Sequence, residues 1–205
     1  MIPDIRDFDR LSREFRWNIP ARYNIGVDVT DKWAQRDPQR PAIFDVRPDG
    51  AVRVVTFGDL SDQSNRLANA LRARGIARGD RVAILLPQCP QTTIAHAAIY
   101  KLGAIAVPLA LLFGDDALAY RLEDSGARCA ITNGAGLAKL RKTLSAPDVD
   151  LDLILCTDGE APGALGFDRA VADASSDFTA VDTTPDDPAL MMYTSGTTGN
   201  PKGAL

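Results

Sequence analysis

The 205-residue chain has few of the residue types from which metal sites and covalent catalytic sites are built. It contains one histidine, His96, and three widely spaced cysteines, Cys89, Cys129 and Cys156. A lone histidine cannot supply a histidine pair for zinc, and three scattered cysteines indicate neither a disulfide framework nor a thiolate cluster. We therefore predict no metal site, assign no catalytic nucleophile, and interpret His96 as a packing residue of a helix.

The chain also lacks long runs of one charge and long apolar runs. It carries 23 basic and 27 acidic residues, a net charge of −4, and shows no basic stretch that would follow a phosphate backbone. The most apolar region, residues 94–112, is interrupted well before the ~20 apolar residues of a membrane helix. Residues 1–7 lack the basic and apolar parts of a secretory signal. These absences predict no nucleic-acid partner, no membrane span and a cytoplasmic, reduced protein.

Alternating strand and helix patterns predict an α/β fold. The run Val82-Ala83-Ile84-Leu85-Leu86 is apolar without alternation, which is typical of a strand buried on both faces. Segments of helical spacing separate such runs, so we expect a mostly parallel sheet with helices on both faces. A turn at residues 47–50 between two short β-rich runs predicts a small N-terminal β-hairpin.

The predicted element bounds follow the same signals. The predicted helices are residues 27–37, 57–74, 90–102, 115–124, 136–144 and 167–174. The predicted strands are residues 42–44, 52–56, 82–86, 103–108, 128–132, 151–156 and 189–193. Trp33, within the first of these helices, is expected to belong to the core.

The most informative segment is residues 193–205, Tyr-Thr-Ser-Gly-Thr-Thr-Gly-Asn-Pro-Lys-Gly-Ala-Leu. Its glycines, Gly203 among them, allow backbone conformations closed to other residues and a close approach to a ligand. Successive N–H groups, hydroxyls and one ammonium group are the donors that a polyphosphate requires. The sequence therefore predicts a phosphate-binding loop formed by Thr194, Ser195, Gly196, Thr197, Thr198, Gly199 and Lys202.

Two common phosphate-loop patterns do not fit this segment. A Walker A loop needs Ser or Thr after its lysine, whereas Gly203 follows Lys202, and the dinucleotide pattern G-x-G-x-x-G is absent. Composition alone would also suit a flexible tail without a ligand. The ordered arrangement T-S-G-T-T-G-x-P-K-G argues against that alternative.

Residues 193–203 resemble the phosphate-binding signature of the AMP-forming adenylating enzymes, which include acyl-CoA synthetases, adenylation domains of peptide synthetases and firefly luciferase. Upstream, Lys101-Leu102-Gly103-Ala104 resembles the early part of these synthetases, and Tyr23-Asn24-Ile25-Gly26 looks closest to the acetyl- and medium-chain acyl-CoA synthetase branch. We interpret these positions as structural. The resemblance implies ATP, Mg²⁺ and coenzyme A as cofactors and co-substrates, with the loop around the β- and γ-phosphates. It also implies a carboxylic acid as substrate. That carboxylate would itself attack the α-phosphate, so no catalytic residue is assigned.

The resemblance covers the first part of the family's length, with the fold of the first subdomain of its N-terminal domain. We expect an N-terminal arm over residues 1–26 and an α/β subdomain over residues 27–205 that ends in the loop 193–203. The downstream subdomain and C-terminal domain, which carry the family's catalytic lysine, are expected to be absent. We therefore expect an N-terminal fragment of an acyl-CoA synthetase of fatty acid metabolism that is inactive alone and self-associates through an exposed docking face.

Two alternatives stay open from the sequence. One is a non-catalytic nucleotide-binding or scaffold module with the same fold. The other is an adenylating enzyme that transfers its acyl group to a carrier protein, since the residues that would select the acceptor are not in this segment.

Overall fold

The computed structural model of the protein describes residues 6–144, 151–194 and 200–205. A π-helical segment, Val27–Asp31, leads directly into the second helix. Over the described residues the helices are α1 (Phe8–Glu14), α2 (Lys32–Arg36), α3 (Phe57–Arg72), α4 (Pro90–Lys101), α5 (Asp115–Ser125), α6 (Gly134–Thr143) and α7 (Phe167–Ala172). The strands are β1 (Pro41–Val46), β2 (Val52–Thr56), β3 (Arg81–Leu85), β4 (Ile105–Pro108), β5 (Ala127–Thr132), β6 (Leu153–Cys156), β7 (Leu165–Gly166), β8 (Met192–Thr194) and β9 (Lys202–Ala204).

Five parallel strands form the central sheet of the described residues, in the order β4-β3-β5-β6-β7. Ala83 of β3 lies opposite Val107 of β4 on one side and Ala130 of β5 on the other. A helix connects β3 to β4, β4 to β5, and β5 to β6. Most parallel neighbours have such helical crossover connections, which is why the alternating pattern in the sequence indicates this architecture.

Each face of the sheet carries its own apolar core. Val82 and Ile84 of β3 belong to one core, and Ala83 and Leu85 to the other, because successive strand side chains point to opposite faces. All four are at most 2% exposed. Helices α3, α4 and α7 cover the first core, and α5 and α6 cover the second. The predicted parallel sheet with helices on both faces is confirmed.

The predicted N-terminal hairpin is confirmed as β1 and β2. Its turn closes through Gly50, whose φ of 83° is accessible to glycine at little cost. Two directly opposed apolar pairs, Phe44 with Val54 and Val46 with Val52, leave four exposed side chains on the hairpin. We refer to these four residues as the hairpin patch.

Asn24 and Gly26 hold the segment before β1 against α4. The side-chain amide of Asn24 donates to the carbonyls of Tyr100 and Val181, at 3.0 Å each. Gly26 lies on the backbone of α4, where an added Cβ would come within 2.7 Å of the carbonyl oxygen of Ala97. These positions of the family resemblance therefore have a structural role.

Lys101, the last residue of α4, is a fully buried cation. Its ammonium group donates to Asp31 Oδ1 at 2.6 Å, Ser64 Oγ at 2.8 Å and Asn65 Oδ1 at 2.6 Å. Burial lowers the pKa of Lys101, and the carboxylate of Asp31 acts in the opposite direction. One side chain thus joins the π-helical segment, α3 and α4.

Two short strands, β7 and β9, were not predicted, and the helix predicted over residues 27–37 begins as the π-helical segment Val27–Asp31. The strand predicted over residues 103–108 begins at Ile105, because Gly103 adopts a φ of 68° and ends α4. The amide of Ala104 then donates to the carbonyl of Ile99 at 3.0 Å, as at many helix C-termini. Among the described residues, no helix is both long and apolar enough to cross a membrane.

The strand predicted over residues 189–193 also differs. Leu190 forms a single parallel bridge to Ala106 of β4, after which the chain leaves the sheet. Met192–Thr194 pairs instead with Lys202–Ala204 in an antiparallel hairpin. An apolar run of strand length does not reveal its partner, so the sequence could not distinguish the two arrangements.

We expect Asp187 to make the fold sensitive to acid. Its carboxylate accepts from the Thr184 amide at 2.7 Å and from Arg78 Nη2, and these donors lower the pKa of Asp187 below its ordinary 3.8. Its contribution to stability is present above the unfolded value and is lost as pH falls through the lower folded value. The loss of stability between about pH 5 and about pH 3 should be smaller for Asp187→Asn, measured by urea unfolding. The exposed neighbour Asp186 provides the control, since Asp186→Asn should keep the acid dependence of the parent.

Candidate phosphate-binding site

The hairpin of β8 and β9 brings together the two ends of the predicted phosphate loop. Thr194 lies directly opposite Lys202, and Tyr193 lies opposite Gly203. Residues directly opposed in an antiparallel pair have Cβ atoms about 5 Å apart, so a hydroxyl and an ammonium group lie at the mouth of one loop. Both side chains are exposed. The remaining predicted site residues, Ser195, Gly196, Thr197, Thr198 and Gly199, lie outside the described residues.

The sheet determines where this hairpin begins. The amide of Ala106 donates to the carbonyl of Ala189, and the amide of Met191 donates to the carbonyl of Ala106, both at 2.9 Å. The bridge at Leu190 is parallel, so the chain runs beside β4 and continues into the hairpin toward the carboxyl end of the sheet. Ligands of open α/β sheets bind outside that end.

Tyr193 fixes the base of the hairpin to α5. Its hydroxyl donates to Asp124 Oδ2 at 2.6 Å. Burial, reinforced by the Asp124 carboxylate, raises the pKa of Tyr193 well above its ordinary value. The phenol therefore remains a protonated donor over the whole physiological range.

Gly203 has a different role from the one that the sequence suggested. Its φ lies outside the left-handed region, so this glycine is not needed for an unusual backbone conformation. A Cβ at this position would instead lie 3.1 Å from Met191 Sδ and 3.2 Å from Tyr193 Cζ. The missing side chain leaves room for the Tyr193 ring across the strand pair. Aromatic residues cover glycines of a neighbouring strand in this way.

The family model of the AMP-binding enzymes matches residues 30–205. The chain belongs to the AMP-binding enzyme family. The match includes the hairpin and the loop between its strands, so the family assignment and the predicted phosphate loop concern the same residues.

Relatives of this AMP-binding family member are acetyl- and acyl-coenzyme A synthetases. It is 31% identical to the acetyl-coenzyme A synthetase of Magnetococcus marinus and 30% identical to the mitochondrial acyl-coenzyme A synthetase ACSM4 of Homo sapiens. Each alignment covers 98% of the chain but 34% and 35%, respectively, of the relative. The crystal structure of a Brucella canis acyl-CoA synthetase superposes with a TM-score of 0.83 at 32% identity, over 96% of this chain and 37% of that one. The chain thus spans about a third of these relatives and matches their N-terminal part. The predicted family and fold are confirmed.

The other candidate residues have structural surroundings. His96 Nδ1 lies 2.8 Å from the carbonyl oxygen of Thr92, one turn earlier in α4. Cys129 and Cys156 are buried, and burial raises the pKa of the Cys129 thiol far above its ordinary value. Over the part of the chain that the structure describes, no three His, Cys, Asp or Glu side chains are grouped so that they could hold a metal ion.

Sequence reasoning missed the contribution of α5 to this site. Asp124 and Tyr193 are 69 residues apart, and nothing in the local pattern of α5 distinguishes Asp124 from an ordinary solvated carboxylate. The available signal was the position of Tyr193 directly before the loop. The hydroxyl of a tyrosine usually needs a hydrogen-bond partner when the ring is buried, but the sequence does not indicate where that partner lies.

Proposed function

We propose that the chain is the N-terminal part of an AMP-forming acyl-CoA synthetase. Such an enzyme joins a carboxylic acid to ATP, releases pyrophosphate, and transfers the acyl group from the adenylate to coenzyme A. The observation that carries the proposal is the cross-strand pair of Thr194 and Lys202 at the mouth of a loop with the family's signature. The acetyl- and acyl-coenzyme A synthetases among the relatives support coenzyme A as the acceptor.

The residues at the mouth of the loop suit phosphate oxygens. Lys202 supplies an exposed positive charge on a flexible stem, and Thr194 supplies a hydroxyl donor beside it. Ser195, Gly196, Thr197, Thr198 and Gly199 would extend this set of donors around the β- and γ-phosphates.

The same donor set does not suit a cation on its own. Among the described residues, no group of carboxylates is arranged to hold Mg²⁺, and this ion commonly binds through substrate phosphates with few protein ligands. We propose that Mg²⁺, when bound with the nucleotide, would neutralise charge on its phosphates, and that Lys202 would contact phosphate oxygens.

Three further proposals concern the organisation of the chain. We propose an N-terminal arm over residues 1–26, of which residues 6–26 are described with Phe8, Trp17 and Ile19 exposed, and an α/β subdomain over residues 27–205. Since the chain spans about a third of its relatives, we propose that these residues alone do not complete adenylation. The exposed hairpin patch supports self-association.

Lys202→Ala is expected to weaken binding of Mg·ATP by about tenfold, because a charge-assisted contact to a phosphate is lost. Isothermal titration calorimetry on the 205-residue chain would measure the dissociation constant. Lys142→Ala provides the control, since Lys142 is also exposed but lies in the last turn of α6, away from the hairpin. Equal affinities for Lys202→Ala and the parent would contradict the proposed phosphate site.

A further inference from the structure

A buried arginine lies beneath the hairpin. The side chain of Arg121, in α5, has its guanidinium carbon 4.0 Å from the centre of the Phe113 ring and 5.6 Å from the centre of the Tyr193 ring. Its Nη1 donates to the carbonyl of Ala117 at 2.6 Å. Arg121 is 6% exposed, and its buried Nε finds no hydrogen-bond acceptor within the described residues.

The contact with the rings offers a compensation for the unpaired Nε of Arg121. A buried donor without a partner is unfavourable, and an apolar residue of similar length would avoid that cost. A desolvated guanidinium that contacts aromatic rings gains cation–π energy, which an apolar residue cannot replace. Arg121 therefore links two segments that are distant in sequence, the stretch before α5 that contains Phe113 and the strand that leads into the phosphate loop.

The hairpin needs such contacts because it is small. Strands β8 and β9 have three residues each, and an isolated two-stranded hairpin is at best marginally stable in water. Within the described residues, the bridge at Leu190 joins the chain to the sheet, and Tyr193 joins it to α5. Counted from the base of the hairpin, the cross-strand pair of Tyr193 and Gly203 comes directly before the pair of Thr194 and Lys202. A shift of the Tyr193 ring would therefore displace Thr194 and Lys202 together.

We propose that Tyr193 is a positioning residue for Thr194 and Lys202 at the mouth of the phosphate loop and that Asp124 and Arg121 of α5 hold it in place. This inference rests on the proposed function, since it assigns to these residues the task of orienting Thr194 and Lys202 for ATP. Asp124 fixes the hydroxyl end of Tyr193, Arg121 contacts its ring, and Gly203 leaves space for the ring.

The central test is Tyr193→Phe, which keeps the ring and removes the hydroxyl that donates to Asp124. We expect Mg·ATP to bind about five- to tenfold more weakly, as for loss of a hydrogen bond to a charged group. The midpoint of thermal unfolding should stay close to that of the parent, because phenylalanine keeps the ring that packs against the second apolar core. Amide hydrogen exchange of residues 192–194 and 202–204 should accelerate, while β3 and β5 remain protected.

Tyr120→Phe is the matched control. The Tyr120 hydroxyl lies 3.5 Å from the other oxygen of Asp124, but Tyr120 belongs to α5 itself. Its removal should leave ATP affinity and hairpin exchange unchanged. Asp124→Ala should weaken binding like Tyr193→Phe, and the double variant should bind no more weakly than either single variant, because both remove one hydrogen bond. Arg121→Met should also weaken ATP binding, because the cation–π contact with the Tyr193 ring is lost.

The outcomes separate this inference from the proposed function. If Lys202→Ala weakens binding but Tyr193→Phe binds ATP like the parent, the positioning role is wrong and the phosphate site stands. If Tyr120→Phe and Tyr193→Phe weaken ATP binding equally, the inference is overturned. It is also overturned if Tyr193→Phe lowers the thermal midpoint in proportion to its loss of ATP affinity, because the role of Tyr193 is then a general structural one. If the parent chain binds no Mg·ATP, both proposals fail.

Discussion

Lys101→Met should lower the free energy of unfolding by about 3–5 kcal/mol. Methionine fills a similar volume, so the effect isolates the charge and its hydrogen bonds from the packing of the stem. Removing the ammonium leaves Asp31, Ser64 and Asn65 without the donor that they share. The side chain of Asp31 is 17% exposed, so water only partly replaces the lost cation. Urea unfolding followed by circular dichroism would measure the difference.

Lys32→Met is the control for this measurement. Lys32 also donates to an aspartate at 2.6 Å, Asp28 Oδ1, but the two side chains are 44% and 32% exposed. Exposed ion pairs in helices contribute less than about 1 kcal/mol, so this variant should remain close to the parent. A similar decrease in the free energy of unfolding in both variants would contradict this prediction, because Lys101 would then contribute no more than an exposed surface charge.

The core of the fold could be predicted because its signals are local. The apolar run at β3 indicates a strand buried on both faces, and the helix after Thr56 begins where a polar residue caps it. Thr56 accepts from the Asp59 amide at 3.1 Å, and the Asp59 carboxylate accepts from the Thr56 amide at 2.9 Å. Such a capping box spans four residues, so the sequence contains all of it.

Features that join distant segments could not be predicted. Lys101 lies 70 residues from Asp31, and its place at the end of an apolar helix gives no sign of a buried cluster. Trp33, which we expected in the core, is half-buried at the edge, with the guanidinium groups of Arg36 and Arg40 5.1 and 4.9 Å from its ring centre. Helical spacing identifies the inward face, whereas the depth of burial depends on what the tertiary fold places over it.

The candidate site divides in the same way. The choice of Thr194 and Lys202 as candidate residues follows from the motif, because a hydroxyl and an ammonium group are suitable donors to phosphate oxygens. Their cross-strand pairing does not follow, since β9 is three exposed residues without an alternating pattern. The hairpin is joined to α5 by Tyr193, whose partner Asp124 lies 69 residues earlier in the chain.

Gly26→Ala should destabilise the fold by about 3 kcal/mol, because two opposing effects are unequal. Gly26 has helical dihedral angles, φ −59° and ψ −43°, so alanine by itself would favour the helix by about 1 kcal/mol. Its Cβ would lie 2.6 Å from Lys101 Cγ, 2.7 Å from the carbonyl oxygen of Ala97 and 2.8 Å from the Lys101 amide. Two of these are backbone atoms of α4, which cannot move without disturbing the helix. The clash should therefore exceed the gain in propensity, as urea unfolding would show.

Gly114→Ala is the control, because Gly114 has a φ of −69° and open space where its Cβ would lie. It precedes α5, and this change should cost less than about 1 kcal/mol. If Gly26→Ala is as stable as the parent, the segment does not pack directly on α4. If it is destabilised, combining it with Lys101→Met should cost less than the sum of the two changes. Moving the segment away from α4 also moves Asp31 away from Lys101, so part of the same interaction is lost in either variant.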